Sequence, residues 1–408
     1  MRLFLSLLLL TAASLATTAP AQVLPGIDVL ERDGFAPLQG KRVGLITNPT
    51  GISRDGRSTV EILHRAKGVT LAALYGPEHG VYGDQIAGGY VATTTDKRTG
   101  LPAFSLYGPT RKPTAAMLKG IDVLVFDIQD IGVRSYTYVS TLGLAMEAAG
   151  EAGIEFMVLD RPNPLGGHRV EGPGLQPKFR SFVSQWPLAY VYGLTSGEAA
   201  RMIAGEKWIA RAPKLTVIPA AGWKRSMSWA DTGLTWVPTS PHIPTPDTAL
   251  LYAATGWIGE LGTVSNGVGY PQPFALVGLP GIPAEEFARR MNARNLPGLR
   301  FRPAYYKSFY TAFKDKVCGG VQIHLVDPST AHLAGSGIHL FEELSRLAKR
   351  NLFAEAKPEN IRMFDQVAGS DTLRQQLLAG TPAARIVASW KEHEDHFRQQ
   401  REPYLLYR

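Results

Sequence analysis

The segment Gly76-Pro-Glu-His-Gly80 sets a carboxyl and an imidazole side by side between two glycines, directly after the apolar run Val69–Tyr75. Glu78 is the sharpest candidate for chemistry. A carboxyl held against apolar surface keeps its proton nearer neutral pH and can give it to a departing oxygen. The glycines allow close backbone approach to a ligand. The plainer alternative is a carboxylate that accepts backbone N–H bonds in a tight turn. A second group follows in Phe126-Asp-Ile-Gln-Asp-Ile-Gly132, with Arg134, Tyr136 and Tyr138 just beyond. Asp127 and Asp130 are candidates to hold a water or a sugar hydroxyl, or to pair with Arg134 and fix the loop. Tyr136 and Tyr138, two apart, face one way in an extended chain and offer a stacking platform or hydroxyl donors. Asp160-Arg161 is either a third part of a site or a strand-end ion pair. Asn48 and Asn163 are neutral hydrogen-bonding groups of the kind that sugar hydroxyls and amides need.

These residues share one structural context. Lys41–Asn48, Val69–Tyr75, Leu101–Tyr107, Ile121–Phe126, Glu155–Asp160 and Leu215–Pro219 read as strands. Helical patterns separate several of them: one after Ser58, with Glu61 completing a capping box, a short one over 114–119, and others over 137–150 and 196–209. Strands alternating with helices predict right-handed βαβ units and a mostly parallel, Rossmann-like sheet. Unpaired charge inside such a sheet costs several kcal/mol. The polar residues therefore belong at the strands' C-terminal ends, where open α/β sheets bind ligands. The proline-rich stretch Trp236–Pro246 reads as a crossing into a smaller α+β domain. The expected division is a leader over 1–21, a catalytic α/β domain over 22–240 and an auxiliary domain over 241–408.

Composition limits the function classes. At 408 residues, with 45% hydrophobic and 19% charged side chains, the chain is sized for two folded domains. Met1-Arg2, the leucine-rich run to Leu10 and Ala19-Pro20-Ala21 form a secretory signal pattern, so export to the periplasm or exterior is expected. The leader's apolar run is too short to span a membrane, and no later stretch is long enough. The net charge of +8 becomes +7 without Arg2 and is spread along the chain. That fits mild attraction to an anionic cell wall and gives no nucleic-acid footprint. Cys318 is the only cysteine, in a strand-like segment, which excludes an intrachain disulfide and a cysteine metal cluster. His393 and His396 lie on a polar helical run that reads as a solvated face, so no metal site is expected. The absence of GxGxxG, P-loop and HExxH patterns argues against a nucleotide or metal cofactor.

Four motifs together resemble the NamZ-type exo-β-N-acetylmuramidases: Gly44-Leu-Ile-Thr-Asn-Pro-Thr50, Gly76-Pro-Glu-His-Gly80, Phe126–Gly132 with Arg134 and Tyr136-Thr-Tyr138, and Leu159-Asp-Arg-Pro-Asn-Pro-Leu-Gly-Gly167. The similarity continues through Trp236–Thr245, Phe301–Pro303, Cys318–Gln322 and Tyr404–Tyr407. It implies secreted glycosidases that release N-acetylmuramic acid from the non-reducing ends of peptidoglycan fragments, with a cleft between two domains. It also implies that the catalytic glutamate is Glu78, acting as acid on the glycosidic oxygen, with Asp127 or Asp130 as the second carboxylate. Arg134, Arg161 or His79 would then meet the lactyl carboxylate, and Tyr136 and Tyr138 would flank the ring. Substrate assistance by the 2-acetamido group stays open. One departure stands out: where many members carry Ser-Glu-Gly-Arg-Gly, this chain has Ser265-Asn-Gly-Val-Gly269. That change raises one alternative, an exo-glycosidase for another amino sugar; the other is a non-catalytic cell-wall sugar-binding protein on the same scaffold. The sequence carries no signal of oligomeric state.

Overall fold

The computed structural model describes residues 22–85, 88–89 and 92–408. The expected leader, residues 1–21, lies outside them. Seven strands form one sheet: β1 (Arg42–Thr47), β2 (Thr70–Gly76), β3 (Thr94–Thr95), β4 (Pro102–Ser105), β5 (Val123–Asp127), β6 (Glu155–Leu159) and β7 (Leu215–Ile218). Their order is β3-β4-β2-β1-β5-β6-β7, and every neighbouring pair is parallel except β3 with β4. β5 is buried along its whole length, as a strand covered on both faces must be. The chain runs outward from β1 to β2 and returns to β5 on the other side of β1. The order thus reverses between β1 and β5, which puts a crevice at their C-terminal ends.

Local signals explain most boundaries. The helix Ser196–Gly205 begins with a complete capping box, in which Thr195 accepts from the Glu198 N–H and Glu198 accepts from the Thr195 N–H. The box expected at Ser58 does not form. Ser58 precedes the helix Thr59–Arg65 without a side-chain bond, and Glu61 reaches forward to Arg65 instead. The stretch 114–119 is a series of turns, not a helix.

A second, antiparallel sheet of β8 (Leu276–Leu279), β9 (Leu299–Lys307) and β10 (Val317–Leu325) has the order β8-β10-β9. Cys318 is fully buried in β10, and burial pushes its thiol up to about 11. The helix Ala284–Ala293 packs on β9 and β10, and Leu333–Ala348 packs behind it against helices. The segment 383–401 forms two helices, Ala383–Ala388 and Lys391–Arg401. Elements that the sequence reading did not mark include β9 and the helices Gly26–Arg32, Pro246–Gly259 and Pro358–Ala368.

The two parts share a core. One buried apolar cluster runs from Ile46 through Leu142 and Trp257 to Phe397. The C-terminal segment also returns to the first part, where Tyr407 donates to Asp160 at 2.6 Å and Arg401 bonds the Tyr192 and Gly193 carbonyls. A rigid contact between the halves fixes the walls of the cleft between them.

Candidate active site

Glu78 follows β2 on a reversed turn. His79 and Gly80 both have left-handed backbones, with φ of 70° and 77°. A side chain on Gly76 would strike the Val81 nitrogen at 2.8 Å, so the chain can fold back only over a glycine. The His79 ring is buried, and its Nδ1 lies 2.8 Å from the Gln85 carbonyl, which holds this otherwise unfavourable backbone. The turn leaves Glu78 half-buried at the sheet's C-terminal edge. Thr137 Oγ1 donates to its Oε2 at 2.6 Å, and the Gly88 N–H donates to its Oε1 at 3.2 Å. Tyr107, at the exit of β4, is close enough that burial and the Glu78 charge push its hydroxyl up to about 12.

The other charged residues at this edge are engaged by the fold. Asp127, the last residue of β5, is fully buried and accepts from Arg161 Nε at 2.6 Å, Arg161 Nη2 at 3.0 Å and Thr59 Oγ1 at 2.5 Å. Its partner is therefore Arg161, not Arg134, and both its oxygens are taken, which removes it as a catalytic base. Arg161 also bonds the Ile52 carbonyl at 2.7 Å. Asp160 makes no ion pair with the Arg161 guanidinium and accepts only its backbone N–H, at 3.0 Å. It anchors the start of the helix Ser196–Gly205 by accepting from Thr195 Oγ1 and the Gly197 N–H, together with Tyr407. Arg134 is fully buried and spends its guanidinium on Ser184 and on the carbonyls of Pro173, Leu188, Val367 and Ala368. It is a staple between the two parts and is not open to a substrate carboxylate.

Asp130 is more ambiguous in chemistry but equally buried. Its Oδ1 accepts from the Gly132 N–H at 2.7 Å and from Tyr192, while Oδ2 is buried without a partner. Burial pushes this carboxyl up to about 6. Asn48 and Asn163 close local turns, accepting from the Thr50 and Leu165 N–H groups at 3.0 and 2.9 Å. Tyr136 and Tyr138 do lie together, with ring centroids 5.0 Å apart, but edge to face and buried. Their hydroxyls donate to Thr239 in the crossing segment, at 2.7 and 2.5 Å. Tyr138 opens the helix Tyr138–Ala152, so the pair forms a hinge against the crossing and not an open platform.

The second part supplies residues absent from the sequence reading. Tyr252, on the helix Pro246–Gly259, packs against Tyr136 at 5.6 Å, and its hydroxyl lies 3.1 Å from Ser135 Oγ. The same helix ends at Glu260, which is largely buried and whose side chain has no hydrogen-bond or ion-pair partner among the described residues. Burial and the Glu78 charge push its carboxyl up to about 7. His242, in the crossing, bonds Tyr310 through Nε2 at 2.7 Å, and burial together with nearby His79 lowers its proton affinity. The altered motif lies next to Glu260. Asn266 packs under Gly259, where a Cβ would meet its amide at 2.3 Å, and Val268 packs on the core. Arg111, exposed and without an acidic partner among the described residues, stands over the Phe182 and Tyr107 rings at 4.4 and 5.6 Å. The one earlier signal for these residues was the polar exit of the weak strand β4, which carries Tyr107 and Arg111. A distinct narrow pocket lined by Thr50, Arg54, Gln129, Arg161 and Trp236 contains neither Glu78 nor Glu260. No cluster of metal-ligating side chains occurs among the described residues.

The chain is similar to known proteins along nearly its whole length. Residues 43–247 match the family described as exo-beta-N-acetylmuramidase NamZ, N-terminal, and residues 250–407 match its C-terminal counterpart. The chain is 40% identical over 396 residues to the peptidoglycan beta-N-acetylmuramidase NamZ of Bacillus subtilis (strain 168), covering 96% of this chain and 93% of that protein. Two crystal structures of DUF1343 family proteins from Bacteroides fragilis NCTC 9343 share the fold. One has a TM-score of 0.91 at 47% identity and the other 0.78 at 28%, each covering 95% of this chain and 99% of its own. The chain belongs to the NamZ family of exo-β-N-acetylmuramidases.

Proposed function

We propose that this protein is an exo-acting glycoside hydrolase that releases N-acetylmuramic acid from the non-reducing ends of peptidoglycan fragments. The observation that carries the reading is Glu78. It is held by Thr137 and the Gly88 N–H at the rim of an inter-domain cleft, while the neighbouring acids Asp127 and Asp160 are bound into the fold. A positioned carboxyl at a half-open cleft is what hydrolysis through an oxocarbenium-like transition state requires. Membership of a family named for this activity supports the substrate class. The N-terminal signal pattern supports export to the compartment where peptidoglycan lies. Among the described residues, no helix is long and apolar enough to cross a membrane.

Recognition of the sugar's lactyl carboxylate falls to Arg111. Arg134 and Arg161 are consumed by the fold, and Val268 replaces a family arginine, whereas Arg111 is exposed beside Tyr107 and thus beside Glu78. The Val268 change keeps one alternative alive, an exo-glycosidase for another amino sugar. A panel of 4-nitrophenyl β-N-acetylmuramide and β-N-acetylglucosaminide decides between them, and preference for the glucosaminide overturns the muramidase reading. Glu78→Gln abolishes turnover with binding retained. Binding of muropeptides by a wild type that turns over no amino-sugar glycoside establishes the sugar-binding alternative instead.

A further inference from the structure

Glu78 and Glu260 come from the two parts of the chain and lie near one another beside the Ser135–Thr137 segment, and their surroundings differ. Both oxygens of Glu78 accept hydrogen bonds, from a hydroxyl and from a backbone N–H. Donors on both oxygens fit a group that accepts a proton during reaction. Glu260 has the opposite setting. It caps the C-terminal end of the helix Pro246–Gly259, where unpaired carbonyls leave partial negative charge and disfavour a second anion. No donor meets its carboxyl among the described residues, and Glu78 adds a like charge nearby. Its backbone is nevertheless fixed, since Asn360 Nδ2 donates to the Glu260 carbonyl at 2.7 Å. The helix that carries it is locked to the first part through Tyr252, Tyr136 and Ser135. The side chain thus extends from a rigid base near Glu78 with no structural bond to break.

We infer that Glu260 is the proton donor to the glycosidic oxygen and Glu78 the proton acceptor, the reverse of the role that resemblance alone gives Glu78. This assignment rests on the hydrolase reading above. The C1–O bond breaks as Glu260 transfers its proton to the departing oxygen. A water adds to C1 and passes its proton to Glu78. Exchange with solvent returns both carboxyls to their starting states, so the net change is consumption of one water. Each domain supplies one member of the pair, which makes the inter-domain contact a condition of catalysis. Burial and the Glu78 charge, which push Glu260 up to about 7, agree with a carboxyl that keeps its proton at neutral pH. Asp130, although it too is raised, is enclosed behind Tyr192 and does not reach the cleft.

The test compares two β-N-acetylmuramides that differ in leaving group. The 4-nitrophenyl glycoside departs without a proton, and the disaccharide to N-acetylglucosamine needs one. Glu260→Gln is expected to lower kcat on the disaccharide by roughly 10²–10⁴-fold while costing the aryl glycoside less than about tenfold. Glu78→Gln is expected to impair both. Equal losses on both substrates in Glu260→Gln, no loss on either, or sparing of the aryl substrate by Glu78→Gln overturns the assignment. Wild type inactive on both glycosides refutes the hydrolase reading itself, a separate result. Should Glu260→Gln misfold, the wild-type pH profile still decides. Activity on the disaccharide is expected to fall above about pH 7 and activity on the aryl glycoside to persist, and parallel profiles overturn the assignment. The titratable groups around Glu260 are Glu78, Tyr252 and Tyr190, and burial raises both tyrosines far above that range.

Discussion

Replacing Arg134 with Met tests whether this arginine belongs to the fold or to the substrate. Its Nε donates to Ser184 Oγ at 3.2 Å, Nη1 to the Pro173 and Leu188 carbonyls at 2.8 Å, and Nη2 to Val367 and Ala368 at 3.2 and 2.9 Å. Val367 and Ala368 end the helix Pro358–Ala368, so the cation sits on carbonyls that the helix itself leaves unpaired. Gly369, at φ 84°, leaves the space it needs, because a Cβ there would lie 2.5 Å from Nη2. Hydrogen bonds from a charged donor contribute about 1.5–3 kcal/mol each, so four carbonyls at the lower bound give about 6 kcal/mol. Burial of the guanidinium, which pulls its proton affinity down to about 10, offsets part of that. The expected net loss for Arg134→Met is about 3–5 kcal/mol of unfolding free energy. Urea unfolding followed by tryptophan fluorescence measures it, alongside kcat and KM on a chromogenic muramide at a temperature where the variant stays folded. An unchanged urea midpoint with KM raised tenfold would refute the reasoning and return Arg134 to the binding site.

Three further outcomes are expected. Thr137→Val removes the 2.6 Å bond to Glu78 and should lower kcat about tenfold to a hundredfold with KM nearly unchanged, while Thr137→Ser restores activity. Arg111→Met should raise KM for muramides at least tenfold and leave glucosaminide kinetics unaffected, read from initial rates on both. Asp130 has a folded-state value near 6, above its unfolded value of 3.8, so its contribution favours the fold at low pH and is lost as pH rises through 6. Wild type should lose about 1 kcal/mol more between pH 5 and pH 7 than Asp130→Asn does, measured as paired urea midpoints.

The parallel sheet was legible because its strands are apolar runs of the right length and its loops carry glycine and proline at their turns. Val123–Phe126 could hardly be anything else. The helix Pro246–Gly259 left no such trace. It is buried almost all round, so no 3.6-residue alternation marks it, and Gly256 and Gly259 mimic breakers although they make room for the Tyr252 ring and Asn266. Missing that helix meant missing Glu260, which lies at its end. In β9 exposed and buried residues alternate, but Pro303 interrupts the pattern.

The misplaced roles have a common physical cause. A charge at the last residue of a buried strand, or the first beyond it, remains within the low-dielectric layer and must find a partner there. Asp127 closes β5 and Asp160 follows β6 directly, and each is fully hydrogen-bonded. Glu78 stands two residues past the end of β2, and the left-handed turn at His79 and Gly80 carries it out to the rim. Glu260 likewise lies just beyond its helix. What the following loop bonds to, and not the mere presence of acids along the edge, therefore separates the carboxyls free to react from those that hold the sheet together. Asp130 shows this, because it lies three residues beyond β5 yet is drawn inside by Gly132 and Tyr192. What sets the two reactive carboxyls apart is that their loops turn outward toward the facing domain.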